Sequence, residues 1–108
     1  WKKRQLFGEL EYWPTGDPDA VQSKRLDQFG MSADIGSDIY LSGEDELGAL
    51  SVEKVDGNRL VVVTPQSEAT LRHEGSPESR LPLYNHRTFE LGDWTFRYRG
   101  ATPSPPIH

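Results

Sequence analysis

The sequence predicts an all-β fold, an antiparallel β-sandwich with irregular loops and no long helix. Three observations predict it. Short apolar runs alternate with a period near two, turn signals separate them at close intervals, and no segment carries the 3.6-residue pattern of an amphipathic helix. The chain has 108 residues, enough for one domain. Three Trp, four Phe and four Tyr sit within the apolar runs and argue for a packed core; a disordered segment would be poor in them.

From the start, Leu6 to Trp13 places Leu6, Leu10 and Tyr12 on one side and Phe7 and Trp13 on the other, so it reads as a strand. Pro14 to Asp19 holds two prolines and a glycine and must be a loop. Ala20 to Arg25 is compatible with a helical turn, and Leu26 to Met31 with a short strand broken at Gly30. Ile35 to Leu41 reads as a tight turn leading into a strand, and Gly43-Glu44-Asp45-Glu46 as a polar turn. Ala49–Val55 and Arg59–Thr64 flank Asp56-Gly57-Asn58, the clearest hairpin signal in the chain. Ala69 to His73 forms a further strand, ended by Glu74-Gly75-Ser76-Pro77. Leu81 and Leu83 flank Pro82, which restricts that strand to an edge. The last hairpin joins Thr88–Leu91 to Trp94–Arg99 through Gly92-Asp93, with Trp94, Phe96 and Tyr98 facing one way and Thr95, Arg97 and Arg99 the other. The expected core is Leu10, Ile35, Ile39, Leu41, Leu50, Val52, Leu60, Val62, Leu91, Trp94, Phe96 and Tyr98. The domain is expected over residues 6–100, after a linker or juxtamembrane start at 1–5 and before a proline-rich tail at 101–108.

Chemistry is sparse. The net charge of −5 speaks against a nucleic-acid partner, which needs a basic face. There is no cysteine, so neither disulfides nor thiolate metal sites exist. His73, His86 and His108 show no metal-ligand spacing, and Asp17-Pro18-Asp19 and Glu44-Asp45-Glu46 read as exposed acidic turns. Lys24-Arg25 and the pair Arg97 and Arg99 read as solvated sides of strands. No nucleophile elbow or glycine-rich phosphate loop is present. No catalytic residue, metal or cofactor is expected, and the domain is read as a non-enzyme. Trp1-Lys2-Lys3-Arg4 has the look of the cytoplasmic flank of a membrane span, which would put the domain on the cytoplasmic side, tied to a membrane only through a preceding segment. A solvated polar start to the domain is the other reading.

The order of landmarks resembles a forkhead-associated (FHA) domain, a β-sandwich that reads phosphothreonine peptides through its loops. Ile35-Gly36-Ser37 is similar to the family's Ile-Gly-Arg turn, Ala49–Thr64 to its central hairpin, Glu74-Gly75 to its Asn-Gly loop, and Phe89–Tyr98 to its closing hairpin. The start Trp-Lys-Lys-Arg together with such a sandwich is also similar to the cytoplasmic ends of some prokaryotic membrane proteins that carry a von Willebrand A domain. The resemblance implies that Ser37, Ser42 to Leu47 and Glu74 to Ser76 converge at one end of the sandwich. The family's phosphate-facing arginine is Ser37 here, its serine and histidine align with Glu44 and Leu47, and its asparagine with Glu74. A phosphate is held by charge-assisted donors, so the usual phosphothreonine pocket is absent. The binding end would consist of Ser37, Ser42, Glu44, Asp45, Glu46, Glu74 and Ser76, offered to a protein partner that is basic or neutral. Two alternatives stand beside this reading: phosphopeptide recognition through a non-standard set such as Arg25, Ser42 and Arg72, and a structural β-domain that spaces its neighbours.

Overall fold

The computed structural model describes residues 5–41, 46–66 and 68–100. Trp1 to Arg4, Ser42 to Asp45 and the tail from Ala101, including His108, lie outside the described residues, and so do the expectations attached to them. Eleven strands follow in order: β1 Glu9–Pro14, β2 Gln22–Arg25, β3 Ser32–Gly36, β4 Ile39–Tyr40, β5 Gly48–Val55, β6 Asn58–Pro65, β7 Leu71–His73, β8 Ser76–Glu78, β9 Leu81–Leu83, β10 Thr88–Leu91 and β11 Trp94–Arg99. They form a six-stranded sheet in the order β2-β1-β11-β10-β7-β8 and a five-stranded sheet in the order β4-β3-β5-β6-β9. The expected sandwich is present. All pairings are antiparallel except the two-residue β3–β4 pair, which is parallel. Among the described residues the longest helix is a four-residue 3-10 turn, Leu26–Phe29, and no helix is long and apolar enough to cross a membrane.

Alternation dictates which faces meet. Leu10 and Tyr12 of β1, Phe89 and Leu91 of β10, and Trp94, Phe96 and Tyr98 of β11 point from the first sheet into the core. Phe89 stacks on Phe96 at 5.0 Å between ring centroids, and Tyr12 lies 6.2 Å from Phe96. From the second sheet come Ala33, Ile35, Leu50, Val61, Val63, Leu81 and Leu83. The tight turns are built by residues that tolerate left-handed backbone: Asp56 and Gly57 have φ of 49° and 84°, and Glu74 and Gly75 have 53° and 83°, the torsions of a primed hairpin turn.

Four expectations need correction. Gln22–Arg25 is a strand, because β1 offers it a free edge and no apolar stripe favours a helix there. Leu26–Phe29 is a 3-10 turn in place of a strand, with Leu26 alone buried. Ser76–Glu78 continues into a strand despite Pro77, at the outer edge of the sheet where a missing N–H is tolerated. The last concerns register in β6. Leu50 pairs with Val63 and Val52 with Val61, so Val61 and Val63 face the core and Leu60 and Val62 lie on the opposite face. Those two are still fully buried (0% exposed). Glu53 on β5 and Arg80 just before β9 form an ion pair at 2.5 Å, and because β6 runs between those strands the pair arches over Val62. Val52 is only half-buried against the core.

Tyr98 closes the sandwich. Its hydroxyl donates to the carbonyl of Phe7 at 2.8 Å, and its ring lies so close to Gly8 that an added Cβ there would sit 2.4 Å from the hydroxyl oxygen. Gly8 also has φ +89°, which L side chains avoid. Burial pushes the Tyr98 phenol well above its usual range, and Tyr12 moves in the same direction for the same reason.

Two predictions follow from this packing. Phe96→Ala should lower unfolding stability by about 3–5 kcal/mol in a urea titration, whereas Tyr40→Ser, at a side chain 66% exposed, should change it by less than about 0.5 kcal/mol. An acid with a raised folded pKa favours the folded state only while neutral. Stability should therefore hold up to about pH 10, where the unfolded phenol ionises, and fall above it. Tyr98→Phe should cost about 1–3 kcal/mol at neutral pH through the orphaned Phe7 carbonyl and flatten that alkaline decline, as read from urea midpoints between pH 7 and 11.

Candidate functional site: the loop end

The strands fix two ends. Thr15 N–H donates to Asp93 O at 2.9 Å and Gly92 N–H to Thr70 O at 3.3 Å, so the β1–β2 loop, the β10–β11 turn and the start of β7 share one end. Leu47 reaches the same place, because a Cβ on Gly92 would meet its side chain at 3.4 Å. Leu47 N–H donates to Ile35 O at 2.8 Å and Gln66 N–H to Leu47 O at 2.9 Å. These bonds tie the β3–β4 turn, the segment before β5 and the β6–β7 loop together.

Ser37 lies exposed in the β3–β4 turn, and Glu46 is exposed beside it at the entry to β5. These two expected site residues do come together. Asp38 shapes the turn: its N–H donates to Asp34 O at 3.0 Å, and its carboxylate accepts the Asp34 N–H at 2.9 Å. Ser42, Glu44 and Asp45 lie outside the described residues. Glu74 and Ser76 do not join this end. β7 leaves it, pairing Leu71 with Leu91 and then Arg72 with Glu90, so the Glu74-Gly75 turn falls at the far end of β7, beside Thr88. The segment that reaches this end is the one starting at Gln66, whose N–H donates to Leu47 O at 2.9 Å, and sequence reasoning passed over it. It lacks the Gly punctuation that made Glu74-Gly75 conspicuous, and only the antiparallel return of β7 could have singled it out.

The alternative phosphate set does not assemble either. Arg25 is on β2 and Arg72 on β7, four strand positions apart in one sheet, or about 19 Å at the usual strand spacing.

Charge is distributed unequally between the ends. The described loops around Ser37 and Glu46 carry Asp17, Asp19, Asp38, Glu46, Glu68 and Asp93, with no lysine, arginine or histidine among them. At the other end Arg25 and Arg99 line a shallow cleft with Glu9 and Asp27, and the β5–β6 turn carries Lys54 and Arg59 beside Asp56. The outer face of the first sheet is laced between strands: Arg97 Nε donates to Glu11 at 2.8 Å, Arg99 lies 3.8 Å from the same carboxylate, and the Arg97 guanidinium sits 5.9 Å over the Trp13 ring. Among the described residues no group of three or more His, Asp or Glu side chains is arranged to hold a metal ion.

Comparison of the chain with protein-family models, with curated proteins and with solved structures gave no match in any of the three.

Asp38→Ala removes the acceptor of the Asp34 N–H at a largely exposed turn. It should cost about 1 kcal/mol and shift the NMR amide signals of Ser37, Glu46 and Leu47 while leaving those of Glu74 and Ser76 in place.

Proposed function

We propose that this domain is a non-catalytic protein-interaction module of FHA-like build that lacks the usual phosphothreonine pocket and offers its loop end to a basic or neutral protein partner. One observation carries the reading: the described loops at the end that holds Ser37 carry six carboxylates and no lysine, arginine or histidine. A phosphate brought there meets like charges and no guanidinium, while a lysine- or arginine-bearing segment is attracted. The order of turn, central hairpin and closing hairpin supports the FHA-like build through Ile35-Gly36, β5–β6 and β10–β11. At such an end Gln66 and Thr70, bonded to Leu47 and Gly92, stand in place of Glu74-Gly75. Loops carried on a rigid sandwich are where binding residues concentrate, and tethering to a larger, membrane-anchored protein is part of the same proposal, resting on Trp1-Lys2-Lys3-Arg4.

NMR titration tests the proposal. A phosphothreonine peptide should fail to saturate at millimolar concentration, which corresponds to binding no more favourable than about −4 kcal/mol. A lysine-rich peptide should shift residues 37–38, 46 and 66–70 and lose its effect as salt rises from about 50 to 500 mM. Saturable micromolar phosphopeptide binding that dephosphorylation abolishes would overturn the reading, and so would a basic peptide that leaves these loops unmoved.

A further inference from the structure

A second surface lies away from the loop end, on the edge of the six-stranded sheet. The two sheets have four outer strands: β2, β8, β4 and β9. Three of them are poor templates for another strand. β8 is interrupted by Pro77 and β9 by Pro82, neither of which has an N–H to give, and β4 is two residues long. β2 differs. Its four residues, Gln22-Ser23-Lys24-Arg25, contain no proline and are all exposed, and they pair on one side only, with Glu9 to Tyr12 of β1. Among the described residues nothing pairs with its outer backbone groups, so they can take another strand.

The charge along this edge states what kind of strand fits. Lys24 and Arg25 are neighbours and fall on opposite faces of the sheet, since Leu10, opposite Lys24, is buried in the core and Glu9, opposite Arg25, is not. A strand laid against β2 meets Lys24 on one face and, on the other, Arg25, whose guanidinium is paired with Asp27 at 2.6 Å but stays 74% exposed. Beyond Arg25 the edge opens into a shallow cleft lined by Gly8, Glu9, Arg25, Asp27, His86 and Arg99 among others, so a chain running past the end of β2 continues towards a second arginine. Val21, 47% exposed just before β2, gives an apolar contact at the other end. A second copy of this edge is a poorer occupant, because full antiparallel pairing leaves Lys24 of one copy diagonal to Arg25 of the other on each face, about 7–8 Å apart.

We propose that β2 is a strand-addition edge that takes an extended acidic segment of a partner protein, with backbone pairing to Gln22–Arg25 and carboxylates facing Lys24 and Arg25. This goes beyond the loop-end reading and does not depend on it. Backbone hydrogen bonds supply the attachment, and the two cations select acidic sequences over basic ones.

The probe is a capped octapeptide of threonine and valine with two adjacent glutamates. It should shift residues 22–25 saturably in an NMR titration and slow exchange of alternate β2 amides at least tenfold. Replacing its glutamates by lysines, or N-methylating alternate peptide nitrogens, should each weaken binding at least tenfold. The double variant Lys24→Glu with Arg25→Glu should do the same while core signals such as Phe96 stay in place; both side chains are exposed, so the fold should survive. Equal binding by the N-methylated peptide would overturn the proposal by showing charge attraction without strand pairing. Absence of saturable shifts at residues 22–25 up to 5 mM peptide would overturn it as well, as would dimerisation of the free domain through β2.

Discussion

The antiparallel pairing of β1 with β11 is the constraint on which the rest of the structure depends. It joins Glu9–Pro14 to Arg99–Trp94 over six residue pairs, from Glu9↔Arg99 to Pro14↔Trp94, so the two ends of the described chain lie side by side within one sheet. β2 hangs on one side of this pair and β10, β7 and β8 on the other. Tyr98 pins its far end through the Phe7 carbonyl, and the Thr15 to Asp93 bond pins the other. Such long-range closure is entropically expensive, and the aromatic cluster of Tyr12, Phe89, Trp94 and Phe96 beneath it supplies the burial that offsets the cost.

The two proposed surfaces both follow from that closure. With β1 and β11 paired inside the sheet, β2 is left as its outer strand, with no further strand beyond it among the described residues. The turns that join β10 to β11 and β1 to β2 are brought against the loops of the second sheet. The acidic residues of those turns then add to one field instead of being scattered over the surface. A chain of net charge −5 thus gains one strongly acidic end and one edge where cations face outward.

Much of the fold was legible in the sequence where a single face is buried. Trp94, Phe96 and Tyr98 alternate with Thr95, Arg97 and Arg99, so only one register is possible, and that one is found. The run Leu60-Val61-Val62-Val63 is apolar on both faces and carries no such information. Its register is set by pairing with Leu50 and Val52, and outward Val62 lies under an Arg80–Glu53 bridge across β6 that sequence spacing cannot reveal. β2 was illegible for the same reason: four exposed polar residues form a strand because β1 offers them an edge. Ser37 and Glu46 lie at the same end because the β3–β5 pairing carries the short turns they flank to one place. Glu74 and Ser76 were misplaced because their position depends on the direction in which β7 runs, which local turn chemistry does not specify.

Native-state amide hydrogen exchange tests the central claim, that β1–β11 closes the domain and leaves β2 as an open edge. The amides of β1 and β11 that pair with each other should exchange only through global unfolding, with a denaturant dependence equal to that of the whole domain. Outward amides of β2 should exchange at least about a thousandfold faster, with little dependence on denaturant. Equal protection in β2, or opening of β1–β11 before the rest of the sheet, would contradict the account.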